Sequence, residues 1–127
     1  DDITKTHFSK LKLKDVNDEV YSNIDKALEI AGSVFDTEYE KQLVNYGGDT
    51  YSYPISHMTL CTDDYTEITQ GMMNKGIACC FGEGRYYIEI NRPFTGNECF
   101  GYDVMRVVAD AISDFLGQKF YAFAIPD

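Results

Sequence analysis

The chain has 127 residues, of which 44% are hydrophobic and 25% charged. These values are ordinary for one packed domain and predict that residues 1–127 share a single core. No apolar stretch approaches the roughly 20 residues of a membrane-spanning helix. Lys and Arg number 11 against 21 Asp and Glu, a formal charge of −10, which argues against a surface that binds nucleic-acid phosphates.

The first half of the chain predicts strands and helices in alternation. Residues 7–14 alternate between polar and apolar faces, as a half-buried strand does, and residues 20–35 repeat apolar side chains at helical spacing. Residues 42–46 and 51–61 flank Gly47 and Gly48, which predicts a hairpin. Thr62 and the two carboxylates that follow it predict the start of a second helix.

The second half predicts another hairpin, formed by residues 77–81 and 85–91 around Gly82 and Gly84. A helix over residues 102–116 should end at Gly117, and residues 119–125 should form a last strand. The resulting order is β-α-β-β-α-β-β-α-β. It predicts an α+β fold with a mostly antiparallel sheet of about six strands, covered on one side by two or three helices.

The cysteines and glycines predict neither a metal nor a cofactor. Cys61, Cys79, Cys80 and Cys99 lack the Cys-x-x-Cys spacing of a zinc site, and no glycine-rich loop has the pattern that holds phosphates. Thiols kept as small buried side chains are typical of a reducing compartment, so we expect a cytoplasmic protein. Because the sequence begins with Asp rather than Met, a secreted or periplasmic origin stays open.

The negative charge is concentrated in one part of the sequence. Residues 15–41 hold eight acidic residues and two lysines, and residues 42–74 hold four acidic residues and no Lys or Arg. The same stretch is rich in tyrosine, a residue enriched at protein interfaces. The candidate partner-binding residues are Asp25, Glu29, Tyr51, Tyr53, Asp63, Asp64, Tyr65 and Glu67.

This pattern predicts an acidic protein-binding module that inhibits or neutralises a basic partner, such as a nuclease or another nucleic-acid enzyme. Immunity proteins, antitoxins and phage anti-defence proteins are the natural classes. Two other interpretations stay open. The acidic residues could form an ordinary solvated surface, or the tyrosine-rich segment could bind a small ligand.

The two histidines favour a different hypothesis. His7-Phe-Ser9 and His57-Met-Thr59 each place a hydroxyl two residues after an imidazole, on the same face of a strand. This pattern is similar to the two His-x-Ser/Thr motifs of the 2H phosphoesterase family. The resemblance implies metal-independent cleavage of cyclic or 2′,5′-linked nucleotides, with His7 and His57 catalytic and Ser9 and Thr59 holding the phosphate. We prefer the binding role because the sequence predicts no cationic groove for such a substrate.

Overall fold

Residues 15–82 and 84–126 are described by a computed structural model, in which they form an α+β fold with three helices and five strands. In chain order the elements are α1 (Asp18–Asn45), β1 (Ile55–Thr62), α2 (Glu67–Asn74), β2 (Ala78–Cys80), β3 (Tyr86–Ile88), β4 (Phe94–Asn97), α3 (Glu98–Leu116) and β5 (Tyr121–Pro126). Within this part of the chain, no helix is long and apolar enough to cross a membrane. The predicted strand at residues 7–14 lies outside the described residues.

Strand β1 lies at the centre of an antiparallel sheet and pairs with three other strands. One edge of β1 pairs with β5 from Ser56 to Cys61. The other edge is shared, because β4 pairs with its first half and β3 with its last three residues. Strand β2 pairs with the far side of β3. The positions of β3, β4 and β5 therefore all depend on β1.

The helices cover one face of this sheet. Met58 and Leu60 point from β1 into the core, where they are 2% and 0% exposed. Helix α3 packs against β1 and β5, and α1 packs along α3. A Cβ atom at Gly101 of α3 would lie 2.4 Å from Cγ of Met58, so this glycine allows the helix to approach β1 closely.

The predicted hairpin around Gly47 and Gly48 is wrong. Residues 42–45 continue α1, because Leu43 packs against the core one turn after Tyr39. The two glycines have φ values of 62° and 82° and stand where the chain leaves the helix, so they terminate α1. Residues 51–54 are irregular, and β1 begins only at Ile55.

Other predicted elements are confirmed with shifted boundaries. The hairpin formed by β2 and β3 is present, and α3 ends at Gly117 in a left-handed conformation as predicted. Helix α2 begins at Glu67 instead of Thr62, because Thr62 still belongs to β1. Strand β4 was not predicted, since it has only four residues and includes Gly96.

A buried polar network joins the start of α2 to the chain that leads into β5. The side-chain amide of Gln118, which is 8% exposed, donates to the hydroxyls of Thr62 and Thr69 at 3.1 and 2.9 Å. The amide oxygen of Gln118 accepts from the hydroxyl of Thr66. The Thr66 hydroxyl also caps α2 by accepting from the backbone amides of Ile68 and Thr69.

The Thr66→Ala variant should lower the free energy of unfolding by about 1–2 kcal/mol, because it removes the cap and leaves the buried Gln118 oxygen without its donor. Thr66→Ser keeps the hydroxyl and is the matched control. Urea denaturation of both variants measures the difference. Equal stabilities of the two variants would contradict this role of Thr66.

Candidate partner-binding surface

The face of the sheet opposite the helices carries a row of three stacked aromatic rings. The ring centroids of Phe81 and Tyr87 are 5.1 Å apart, and those of Tyr87 and Phe123 are 5.4 Å apart, with interplanar angles of 25° in both pairs. None of the three rings belongs to the helix-covered core of the described residues. We call these three residues the aromatic row and the face that carries them the open face.

The aromatic row lies across the central strand β1 on the open face. Cys61 of β1 pairs with Tyr87 of β3, and Thr59 pairs with Phe123 of β5. Strands on either side of β1 are about 9.6 Å apart, so rings separated by 5.4 Å must lean inward over it. Thr59 and Cys61 are accordingly 1% and 0% exposed although they point to the open face. Their small side chains leave room for the rings.

One end of the aromatic row is occupied by a cation of the chain itself. The guanidinium of Arg85 lies 5.0 Å from the ring centroid of Phe123. Its interaction with Tyr87, followed by that with Tyr121, raises the pKa of Arg85. The aromatic row is therefore a surface on which a guanidinium can lie.

His57 connects β1 to the two strands that share its edge. Its Nδ1 atom lies 3.1 Å from the Thr95 hydroxyl, and its Nε2 atom lies 3.2 Å from Oε1 of Glu89. Because a carboxylate only accepts, Nε2 must carry the hydrogen in this pair. In the neutral imidazole, Nδ1 then accepts from the Thr95 hydroxyl. The three side chains hold one another on the open face.

A groove of about 880 Å³ runs beside the aromatic row. The His57 and Glu89 side chains line it together with Tyr87, and Ile77 and Ile125 lie toward its two sides. This volume falls within the usual range of about 300–1,000 Å³ for ligand sites. Among the described residues that line the groove, Glu89 carries the one carboxylate and most of the others are apolar.

The order of hydroxyl, imidazole and carboxylate in Thr95, His57 and Glu89 is also the order found in hydrolytic triads. Catalysis of that kind requires a site that excludes water and surrounds the developing charge with fixed donors. The side chains of His57 and Glu89 are 32% and 55% exposed on a sheet face. In this arrangement Thr95 and His57 hold the Glu89 carboxylate in place.

Residues 63–67, which we call the acidic segment, follow β1 directly and are fixed at its end. Asp63 accepts a hydrogen bond of 2.7 Å from the hydroxyl of Tyr121, a residue of the open face. Burial, followed by this bond, raises the pKa of Tyr121 to about 12. At the other end of the segment, Glu67 accepts from the backbone amide of Asn17 at 3.1 Å. The acidic segment is therefore anchored at both ends, and Asp63 joins it to the open face.

The acidic segment carries three carboxylates, those of Asp63, Asp64 and Glu67. Among the described residues, no Lys or Arg forms an ion pair with Asp63, Asp64 or Glu67. Tyr65, which is 49% exposed, stacks on Tyr86 with a centroid distance of 5.8 Å. The structure thus brings four of the predicted partner-binding residues together at one end of the sheet.

Asp25 and Glu29 lie elsewhere, on the exposed side of α1. The Asp25 carboxylate pairs with Lys75 at 2.9 Å. Glu29 lines the same surface groove as Asp25 and Asp36, and Asp36 binds the Arg92 guanidinium through both oxygens at 2.8 and 3.0 Å. Two nearby cations therefore offset much of the negative charge on this side of the helix.

Tyr51 and Tyr53 precede β1 and stand at the opposite end from the acidic segment, with 64% and 90% of their surfaces exposed. The backbone amides of Asn97 and Glu98, and the side-chain amide of Asn97, donate to carbonyls of residues 50–54 at 2.6–2.9 Å. The backbone of this loop is therefore held in place while both tyrosine rings face solvent.

The structure separates His57 from its predicted hydroxyl partner. The Thr59 hydroxyl donates to the Ile88 carbonyl at 2.7 Å and is buried in the sheet, so it does not face a ligand beside His57. His7 and Ser9 lie outside the described residues, and their phosphoesterase role stays a prediction. The residues next to His57 are Thr95 and Glu89, and a carboxylate at that position repels a phosphate.

The aromatic row and Glu89 were missed by the sequence analysis. The alternation of residues 85–91 and 119–125 places Tyr87 with Glu89, and Tyr121 with Phe123, on one side of each strand. The alternation cannot show that both strands flank β1 or that this side is open. No three His, Cys, Asp or Glu side chains in the described parts of the chain are grouped so as to hold a metal ion.

The chain matches no family model, no curated protein and no solved structure.

Chemical labelling of Cys61 tests whether the aromatic row shields this thiol from solvent. Burial raises the pKa of this thiol to about 12, so at pH 8 iodoacetamide should modify the exposed Cys99 and leave Cys61 intact. Tyr87→Ala should uncover Cys61 and increase its alkylation rate, since each unit of pKa recovered raises the thiolate fraction about tenfold. Peptide mass spectrometry after timed labelling measures both rates. Tyr53→Ala is the control. Equal alkylation rates of Cys61 in the two variants would contradict the shielding of this thiol by the aromatic row.

Proposed function

We propose that this protein is an acidic binding module that inhibits or neutralises a basic partner protein by docking on it through the acidic segment and the adjoining open face. The observation that carries the proposal is the contact between Asp63 and Tyr121, which joins the acidic segment to an aromatic surface outside the core. The two parts form one continuous candidate surface.

Charge supports a basic partner. The formal charge is −10, and residues 42–74, which contain β1 and the acidic segment, hold no Lys or Arg. A field of one sign repels itself and destabilises the compact state, so a function that uses it is expected. Attraction between such a field and a positive surface speeds association and selects the partner.

The arrangement of side chains also supports an interface. Protein interfaces typically have a desolvated centre rich in aromatic residues and a charged rim. The aromatic row supplies such a centre, and Asp63 supplies a carboxylate at its margin. Because the rings stack on one another and the acidic segment is anchored, little conformational entropy would be lost on docking.

Nucleic-acid enzymes are the partner class that this chemistry fits best. Their active surfaces are positively charged because they bind phosphates, and a row of carboxylates can occupy the same groove. An inhibitor of a nuclease, in the manner of an immunity protein, antitoxin or phage anti-defence protein, would have these properties. This assignment rests on charge complementarity and on the anchored acidic surface.

Tyr51 and Tyr53 offer a second contact for the same partner. The eight residues of β1 separate them from the acidic segment by roughly 26 Å. An interface of standard size, about 800 Å² on each protein, can extend over this distance. A partner that spans the length of β1 would therefore reach both groups.

Charge reversal tests the proposed docking surface. The variant with Asp63→Lys and Asp64→Lys should lose partners that the wild-type protein retains from a lysate of the native host, and these partners should have isoelectric points above about 9. The variant with Asp110→Lys and Asp114→Lys is the matched control, because it makes the same change in net charge on the exposed side of α3. Affinity capture followed by mass spectrometry identifies the retained proteins.

With a captured partner purified, the Asp63 and Asp64 reversal should slow association by roughly tenfold or more and flatten its dependence on salt. Equal association rates for the two double variants, or a partner that is itself acidic, would overturn the proposed function.

A further inference from the structure

We propose that the groove on the open face binds an arginine side chain on an extended segment of the basic partner. This inference rests on the proposed function and names the part of the partner that the groove recognises. It depends on three features, namely a groove carboxylate without a Lys or Arg partner among the described residues, apolar walls, and an adjoining aromatic row that carries a guanidinium at one end.

The carboxylate belongs to Glu89. Its Oε1 atom faces Nε2 of His57 at 3.2 Å, and its side chain is 55% exposed. Among the described residues, neither Lys nor Arg forms an ion pair with it. Its Oε1 atom is held by His57, and its Oε2 atom can accept a hydrogen bond from a ligand in the groove.

The walls suit the long side chain of arginine. Ile77 and Ile125 can pack against its methylene groups, and Phe81, an outer ring of the aromatic row, lines the same groove and can contact its guanidinium. A guanidinium is planar and less strongly hydrated than the ammonium group of lysine. Arginine therefore loses less hydration free energy than lysine when its side chain enters an apolar groove that contains a carboxylate.

Arg85 already makes a contact of this kind within the chain. Its guanidinium already lies over Phe123, at the end of the aromatic row beside Tyr121. Glu89 lies on the same face, next to His57, and within the described part of the chain no arginine pairs with it. A partner arginine would place a guanidinium beside Glu89 on the open face, as Arg85 places one over Phe123.

Two other occupants fit the groove less well. A second copy of the chain would bring another formal charge of −10 against the first. An apolar small molecule would remove water from the Glu89 carboxylate without giving it a cation, which is costly. The groove also spans three strand spacings from Ile77 to Ile125, roughly 14 Å, so residues beside the arginine would enter with it.

The probe for this proposal is the blocked peptide acetyl-Val-Arg-Val-amide at millimolar concentration, titrated into the isotope-labelled full chain and followed by amide NMR. The peptide with citrulline in place of arginine has the same shape without the charge. Arginine peptide should shift the signals of His57, Tyr87 and Phe123. Citrulline peptide should bind roughly five- to tenfold more weakly.

The Glu89→Gln variant should weaken binding of the arginine peptide by a similar factor and leave binding of the citrulline peptide unchanged. Asp110→Asn is the control, because it removes one exposed carboxylate from α3. Equal affinity of the two peptides, no effect of Glu89→Gln, shifts confined to the acidic segment, or no binding at all would overturn the proposal.

These outcomes are independent of the charge reversal at Asp63 and Asp64. If that reversal abolishes partner capture while Glu89→Gln leaves peptide binding unchanged, the proposed function stands and the groove proposal fails. If the reversal has no effect while Glu89→Gln weakens binding of the peptide, the groove binds arginine and the proposed docking surface is wrong.

Discussion

The backbone pairing of β1 with three strands is the constraint on which the rest of the structure depends. One edge holds β5 along six residues, and the other is divided between β4 and β3. The alternation of β1 then separates its side chains, with Met58 and Leu60 in the core and His57, Thr59 and Cys61 on the open face. Packing of α3 through Gly101 fixes which of the two faces the helices cover.

The candidate site is a consequence of the same pairing. Small side chains at Thr59 and Cys61 allow rings from both neighbouring strands to meet above β1. Strands β3 and β4 share the other edge of β1. Glu89, which follows β3, and Thr95 of β4 therefore lie on opposite sides of the His57 ring. The end of β1 leads directly into the acidic segment, so one strand organises the groove, the aromatic row and the charged margin.

Local patterns predicted the elements whose periodicity is strong, including α3, its glycine terminus, and the hairpin of β2 and β3. They were wrong at residues 42–46, where packing on the helical core extends α1 into a run that also suits a strand. Of the site, Asp63 to Glu67 could be predicted from charge. The contacts of His57 could not, because they join residues 32 and 38 positions apart.

Amide hydrogen exchange of the protein alone and in complex with its captured basic partner tests the central claim most directly. The account predicts slower exchange in residues 63–67 and in the strands around the aromatic row, with little change along the exposed sides of α1 and α3. Protection confined to those helical surfaces, with unchanged exchange in β3, β5 and residues 63–67, would contradict it.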